Sequence, residues 1–192
     1  SIATKETDGK YATILYAVQA MNYRLDNKEM EALKSLNIAK TYSSKTKNNE
    51  AKGYFEYANG WILIRNNKTT DAVASYLKAI RYYENSPTTS TLYGRFANAV
   101  KELSTIYSNL NEYELEEKYS KQFLLLASKQ NDPNLIFDSY MRMGYMYEQK
   151  YVQNPSNINL RNKVENYYLQ AITTFNRNET AMLSKSSLSY AA

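Results

Sequence analysis

Neighbouring carboxylates are the strongest candidates for acid–base chemistry in this sequence, because its 192 residues include no His and no Cys. Examples of such pairs are Glu29 with Glu31 and Glu116 with Glu117. Histidine is the commonest general base and metal ligand, and cysteine is needed for a thiol nucleophile, a zinc ribbon or a disulfide. What the carboxylates can do therefore depends on whether they meet in a cleft or face solvent.

The apolar pattern around both acidic pairs assigns them to the solvent faces of helices, where charged residues are common and carry no chemistry. The chain has only 5 Gly, and no glycine-rich phosphate loop or cluster of metal-ligating residues occurs in it. We therefore predict that the protein is not an enzyme and that it binds no metal and no cofactor.

Residues 53–86 carry the spacing of a helical hairpin. The spacing runs Gly60, Leu63 at +3, Ala72 at +12, Tyr76 at +16 and Ala79 at +19. A small residue midway along one helix lets a second helix approach closely, and the last three residues share one face of that second helix. The polar stretch 66–70 predicts the turn, with one of its two threonines as the N-cap of the second helix.

The small residue of this hairpin recurs along the chain. The anchors are Ala20, Gly60, Ser104 and Gly144, at steps of 40, 44 and 40 residues. A single hairpin cannot bury its own apolar face, so units of this kind occur in series. The sequence thus predicts about four hairpins that cover nearly the whole chain.

The second helices of the other units match this spacing to different degrees. In the first unit the later positions are Ala32, Leu36 and Ala39. In the third they are Glu116, Ser120 and Phe123, and a one-residue slip onto Leu115 and Tyr119 fits about as well. In the fourth they come late, at Val164, Tyr168 and Ala171. The delay predicts about eight residues inserted into the fourth hairpin turn, around 153–162.

Capping residues predict where several helices begin. Asp26 with Glu29 and Asn111 with Glu114 have the spacing of an N-cap followed by an acid in the first turn. Asp132 precedes Pro133, which suits an N-cap followed by a first-turn proline.

The spacing resembles the tetratricopeptide repeat, a helix-turn-helix unit of about thirty-four residues, at the family's small, large, Ala, aromatic and Ala positions. The resemblance is to a lengthened-period, bacterial type. It implies an all-α fold, a right-handed superhelix (α-solenoid) of about four antiparallel hairpins and a C-terminal capping helix. The predicted units are 9–46, 48–86, 90–130 and 132–178, with the cap at 179–190. The alternative is a generic helical bundle in which small residues recur by chance.

In this family the first helices of successive units line a concave groove that holds a partner. Carried over position by position, the resemblance places these residues in the groove: Ala17, Met21, Arg24, Tyr54, Tyr57, Trp61, Arg65, Asn98, Lys101, Thr105, Ser108, Asp138, Arg142, Tyr145 and Glu148. From them we predict a partner-binding set: Arg24, Tyr54, Tyr57, Trp61, Arg65, Asn98, Lys101, Arg142 and Tyr145. Among these Trp61 is the best single candidate, because an exposed Trp usually has a function.

The predicted groove chemistry suits an extended peptide. Aromatic rings cover apolar side chains at low entropic cost, while amides and cations hold main-chain groups or a carboxylate. The family's best-known peptide groove clamps a C-terminal carboxylate with Lys and Asn of the first unit. Here Ala17 and Met21 occupy those places, so that clamp is not expected.

The resemblance therefore implies a protein- or peptide-binding scaffold. Lengthened repeats rich in Tyr, Asn and Lys look like the sensory arrays of bacterial transcription regulators and signalling proteins, in which the array controls an attached effector domain. The alternative is a helical repeat that binds single-stranded RNA, as related repeats read one base each. Asp138 and Glu148 in the predicted groove argue against RNA.

Composition limits the partners further. The net charge is +5, from 24 basic and 19 acidic residues in short blocks, which suits a solvated surface better than a nucleic-acid stripe. Apolar runs are short, 123–127 being typical, so no membrane insertion is expected. No signal peptide opens the chain, although a cleaved one would leave no trace. The compartment stays open between the cytoplasm, which we favour, and the periplasm. The abrupt start and the end at Ala192 suit a fragment of a larger protein.

Overall fold

The computed structural model describes residues 8–87 and 89–189, with side chains for 8–87, 89 and 92–176. Those residues form eight α-helices and no strand, so the predicted all-α class is confirmed. The helices are α1 (Lys10–Leu25), α2 (Glu29–Lys45), α3 (Asn49–Arg65), α4 (Thr69–Glu84), α5 (Ser90–Asn109), α6 (Tyr113–Gln130), α7 (Pro133–Gln153) and α8 (Ile158–Ser189).

The helices pair in sequence as four hairpins, α1 with α2, α3 with α4, α5 with α6 and α7 with α8. Each hairpin packs on the next, chiefly α1 on α3, α4 on α5 and α6 on α7. Successive first helices touch one another, whereas in the described ranges no second helix touches another second helix. The first helices α1, α3, α5 and α7 therefore share one side of the array, which we call the concave face because the resemblance to tetratricopeptide repeats predicts it to be concave.

Close helix approach at the glycine anchors confirms the predicted register. A Cβ atom built on Gly60 would lie 3.1 Å from the ring of Tyr76 and 3.2 Å from the carbonyl oxygen of Ala72. A Cβ atom on Gly144 would lie 2.6 Å from the ring of Tyr168. Each anchor therefore faces the residue that the spacing assigns to the opposite helix, even across the insertion in the fourth unit.

The third hairpin resolves the ambiguity that the sequence left open. The Oγ atom of Ser120 donates to the Oγ atom of the anchor Ser104, at 3.3 Å. Both serines and Phe123 are 0% exposed, and Glu116 is 1% exposed. The unit therefore keeps the unslipped register, and a glutamate fills the interior position that Ala32 and Ala72 occupy in the first two hairpins.

Three hairpin turns share an asparagine in the left-handed conformation, seven residues after the anchor. Asn27, Asn67 and Asn111 have φ values of 59°, 58° and 58°. In each turn the next residue donates its N–H to the carbonyl five residues earlier, as in Lys68 to Leu63 at 2.9 Å. This is the Schellman arrangement that ends helices, and after glycine, asparagine suits its left-handed position best.

The tight turns make the predicted N-caps at Asp26 and Asn111 wrong. Both residues belong to the end of a first helix, and the second helices begin after Lys28 and Glu112. The threonine N-cap predicted for α4 is wrong as well, because Lys68 precedes that helix without a side-chain cap. A three-residue connection is occupied by the helix-ending motif and leaves no free position for a capping side chain.

The predicted cap at Asp132 is confirmed. Its Oδ1 atom accepts from the backbone N–H groups of Asn134 and Leu135, at 2.9 and 3.3 Å, and Pro133 opens α7. Here the connection joins two hairpins and follows Asn131, which ends α6 in the left-handed conformation. The sequence therefore carries both helix-end signals at this joint.

The extra residues of the fourth hairpin lengthen its helices and do not form the predicted loop at 153–162. Helix α7 continues to Gln153 and α8 begins at Ile158, so the connection is 154–157. Helix α8 then runs without a break to Ser189, so residues 179–189 extend it and do not form a separate capping helix. Tyr190 lies outside the described residues.

Asn67 offers a test of the turn. We expect Asn67→Ala to lower the free energy of unfolding by about 1 kcal/mol. The Cβ atom of alanine is strained at positive φ, and alanine lacks the polar group by which asparagine offsets that strain. Asn67→Gly, the matched control, should be neutral or slightly stabilising, since glycine adopts this conformation without strain. Urea unfolding of both variants measures the difference, and equal midpoints would contradict the assigned turn.

Candidate functional site

Predicted groove residues from α3, α5 and α7 reach from one first helix toward the next. They are half-buried or exposed, with one exception, Trp61. Residues three and four apart on a helix share a face, so each helix contributes a stripe. The stripes are Tyr54, Tyr57, Trp61 and Arg65 on α3, Asn98, Lys101 and Thr105 on α5, and Asp138, Arg142 and Tyr145 on α7. The concave face is therefore the candidate site.

The stripes on α5 and α7 are bonded to each other. The Nζ atom of Lys101 lies 2.7 Å from the Oδ2 atom of Asp138. The Nη2 atom of Arg142 donates to the Oγ1 atom of Thr105, at 2.6 Å. Both predicted cations in this half of the face thus already have partners within the chain, and Tyr145 beside them is 49% exposed.

On α3 the indole of Trp61 is covered. The guanidinium carbon of Arg65 lies 3.1 Å from the Trp61 ring centroid, and only 7% of Trp61 is exposed. The ring packs against Ala20 and Ile62. Arg24 reaches across from α1 and donates to the backbone carbonyl of Arg65, at 3.2 Å. A ligand on this face would meet Arg65 before the indole, so Trp61 does not offer the exposed ring that the sequence suggested.

Tyr54 is also covered by a cation, from the next hairpin. The guanidinium carbon of Arg95 lies 4.7 Å from the Tyr54 ring centroid, and its Nη1 atom lies 2.9 Å from the Oε1 atom of Glu50. Burial raises the pKa of Tyr54, and the charge of Arg95 partly offsets that rise. Contacts between the second and third hairpins thus fix the side chains at this edge of the face.

Two predicted groove positions do not open onto the face. Ala17 is 0% exposed and packs with Ala39 and Phe55 inside the first joint. Glu148 accepts from the hydroxyl of Tyr168 through its Oε2 atom, at 2.6 Å, and so points toward α8. Both residues therefore face a neighbouring helix and not the groove.

Glu102 lies on this face between the second and third hairpins, within electrostatic reach of Arg65 and Arg142. Its side chain is half-buried, and it makes no hydrogen bond or ion pair with any described residue. Burial raises the pKa of Glu102, while the charges of Lys101, Arg65 and Arg142 lower it. The amide of Asn98, one turn earlier on α5, also has no hydrogen-bond partner among described residues.

Two tyrosine hydroxyls lie within electrostatic reach of Glu102. The hydroxyl of Tyr76 is buried and has no partner, and its ring centroid lies 5.9 Å from that of Tyr57. Burial, and then the charge of Glu102, raise the pKa of Tyr57 and of Tyr76. Both hydroxyls therefore stay protonated at neutral pH and act as donors. The cluster thus combines a free carboxylate, a free amide, two hydroxyls and the guanidinium of Arg65.

The two acidic pairs do not form a reactive site together. Glu29 and Glu31 are exposed on α2, as expected. Glu116 and Glu117 are not on a solvent face, because Glu116 is inside the third hairpin with its Oε1 atom unpartnered. Glu117, about 100° further round the helix, bonds to Tyr147, Lys121 and Lys150. Their side chains therefore diverge.

Other features of the described residues leave the concave face as the best candidate. No three acidic side chains among them are arranged to hold a metal, and none of their helices has the length and apolarity to cross a membrane. A hollow of about 490 Å³ lies beside Asn49, Arg81 and Asn85. Its amides are engaged, Asn49 with the carbonyl of Asn85 at 2.8 Å and Asn85 with that of Arg81 at 2.7 Å.

Sequence reasoning missed Glu102 and the hydroxyl of Tyr76. Glu102 follows Asn98 by four residues, so helical spacing alone would have placed it on the same stripe. Tyr76 was recognised only as a packing residue opposite Gly60. Its hydroxyl could be assigned to the cluster only once the position of α5 was known.

The fold defines a class, an all-α helical repeat built from four packed hairpins. No family model matches the chain, and no curated protein is detectably similar to it. Within the class, the likeness to tetratricopeptide repeats thus rests on the spacing of the chain's own residues.

Proposed function

We propose that the protein is a non-catalytic scaffold that binds an extended peptide segment of a partner on its concave face. The observation that supports this most is the unpaired carboxylate of Glu102, half-buried between the second and third hairpins. A half-buried carboxylate without a partner in the chain has lost part of its hydration, so a ligand donor that reaches it would gain a charge-assisted hydrogen bond.

The chemistry around Glu102 suits a peptide main chain. An extended peptide offers N–H donors and C=O acceptors in alternation and needs both kinds of partner. Glu102 accepts, Tyr57 donates, and the amide of Asn98 does both. Arg65 adds a cation above an aromatic surface, which suits an acidic or aromatic side chain of the ligand. The bonded stripes on α5 and α7 would flank the bound segment.

The same groups weigh against single-stranded RNA. Glu102 and Asp138 place negative charge on the face, and RNA binding depends on neutralising phosphates. The narrower proposal, a sensory array of a bacterial transcription regulator or signalling protein, rests on the resemblance of the repeats. The full-length gene product tests it, because an effector domain beside the array would support that role.

A peptide selection tests the binding face. A phage-displayed library of random peptides is selected on the wild-type chain, and enriched peptides are labelled and titrated by fluorescence anisotropy. We expect the double variant Arg65→Ala/Glu102→Ala to bind them at least about tenfold more weakly, since tenfold corresponds to about 1.4 kcal/mol. The matched control is Glu31→Ala/Lys34→Ala, which also removes one acid and one base, both exposed on α2.

The control should bind the peptides as the wild type does. Equal loss in both double variants, or no loss in either, would move binding away from the concave face. If no peptide is enriched while single-stranded RNA is retained with a steep salt dependence, the RNA function would replace this proposal.

A further inference from the structure

Large apolar side chains lie exposed along the outer side of α8, at the end of the array. Leu169, Ile172 and Phe175 are 60%, 55% and 53% exposed. They follow one another at steps of three residues, so they form a continuous ridge along the helix. A ridge of this size on a surface helix is typical of an interaction surface.

The position of these residues within the repeat indicates which kind of helix would pack on the ridge. Ile172 and Phe175 follow Ala171 by one and four residues, as Ile80 and Tyr83 follow Ala79 on α4. On α4 these residues are only 6% and 1% exposed, and both belong to one apolar cluster with residues of α5 such as Phe96. Tyr83 also lies against Gly53 of its own hairpin, as Phe175 lies against Phe137 of α7. The ring centroids of Tyr83 and Phe96 lie 5.9 Å apart. The positions exposed on α8 are therefore those with which a second helix accepts the next first helix.

At the opposite end of the array, none of the described helices covers the outer side of α1. Leu15 on α1 lies five residues before its anchor, as Phe55 and Ala99 do on α3 and α5. Those two are 8% and 0% exposed against the preceding hairpin, whereas Leu15 is 50% exposed. Leu15 and Val18 line a hollow of about 370 Å³ along α1, with the amide of Asn22 at its edge. This side of α1 thus corresponds to the surface that an inner first helix presents to the hairpin before it.

We propose that copies of this chain associate head to tail, with α1 of one copy seated on the α8 ridge of the next. The contact continues the joint that already links α4 to α5 and α6 to α7, with the same positions facing each other. It pairs the ridge of one copy with the hollow of another, whereas two α8 ridges would meet without a hollow. Because the two surfaces differ, each added copy leaves one of each free, and assembly continues beyond the dimer.

Sedimentation velocity over a wide range of concentration tests this proposal with the 192-residue chain. The wild type should form dimers and longer oligomers as its concentration rises. Leu15→Glu disables the α1 surface and Ile172→Glu disables the α8 surface, so each variant alone should stay monomeric. An equimolar mixture of the two variants should form dimers and nothing larger, because each supplies the surface that the other lacks.

Met30→Glu is the matched control, since Met30 is 65% exposed on α2, away from both surfaces, and this variant should associate as the wild type does. Far-ultraviolet circular dichroism should show the same helix content in all variants. A wild type that stays monomeric at every concentration would overturn the proposal. So would self-association of Leu15→Glu alone, which would indicate an α8-to-α8 contact, or a mixture of variants that stays monomeric.

Discussion

Replacing Gly60 with leucine should lower the free energy of unfolding by about 1–3 kcal/mol, the usual cost of inserting volume into a tight contact. A Cβ atom at Gly60 would already lie 3.2 Å from the backbone carbonyl of Ala72, which cannot move without moving α4. On the other side is the ring of Tyr76, which is 0% exposed and has no free volume to enter. The leucine must therefore push the two helices of the hairpin apart. Urea unfolding monitored by circular dichroism measures the loss.

Gly94→Ala is the control for this prediction. Gly94 lies within α5, and a Cβ atom there would lie 3.6 Å from its nearest neighbour, an ordinary contact with Gln130. The substitution should raise the free energy of unfolding by about 0.4–1 kcal/mol, because alanine restricts the unfolded chain and favours the helix. If both glycine variants unfold at the parent's urea midpoint, the close approach at Gly60 is not where the structure places it.

Replacing Glu117 with glutamine should cost about 1–2 kcal/mol at neutral pH, after allowance for a side chain that is 25% exposed. Partial burial alone would raise the pKa of Glu117. Hydrogen bonds from Lys121, Lys150 and Tyr147 outweigh burial and lower that pKa from 4.5 to about 2. Because Lys150 and Tyr147 belong to α7, the carboxylate joins the third hairpin to the fourth. Glutamine keeps the shape and removes the charge.

The pH dependence of this cost follows from the sign of the pKa shift. The folded state stabilises the ionised form of Glu117, so it binds a proton there less readily than the unfolded chain does. The stabilisation is therefore complete above pH 4.5 and disappears as the pH falls toward 2. The stability difference between wild type and Glu117→Gln should shrink over that interval. Glu114→Gln, an exposed acid on the same helix, is the control. A difference that stays constant from neutral pH to pH 2 would contradict the assigned bonds.

The repeat could be predicted from the sequence because packing at the anchors leaves a direct mark on residue type. Only a small side chain fits where Gly60 meets Tyr76, so the spacing between them records the geometry of the hairpin. The turns carry a comparable sequence signal. Asn27, Asn67 and Asn111 share one place after their anchors, and any of them suggests a left-handed helix end. The wrong caps at Asp26, at Asn111 and at a turn threonine all lie at or near these asparagines, which end a helix.

The binding face was less predictable, because residue type does not say which partner covers a side chain. Trp61 was expected to be exposed, but Arg65 from the next turn of its own helix lies over the ring. Glu116 was expected in solvent, but the unslipped register turns it into the hairpin. Glu102 was overlooked because its isolation depends on Lys101 and Arg142 having found partners on neighbouring helices.

The joints between first helices are uneven along the array. Helices α1 and α3 pack along much of their length, whereas α3 with α5 and α5 with α7 meet at only a few positions. The first two hairpins are therefore joined largely through their first helices, whereas the later joints rest chiefly on α4 with α5 and on α6 with α7. The proposed peptide, bound near Glu102, would lie where the first kind of joint gives way to the second.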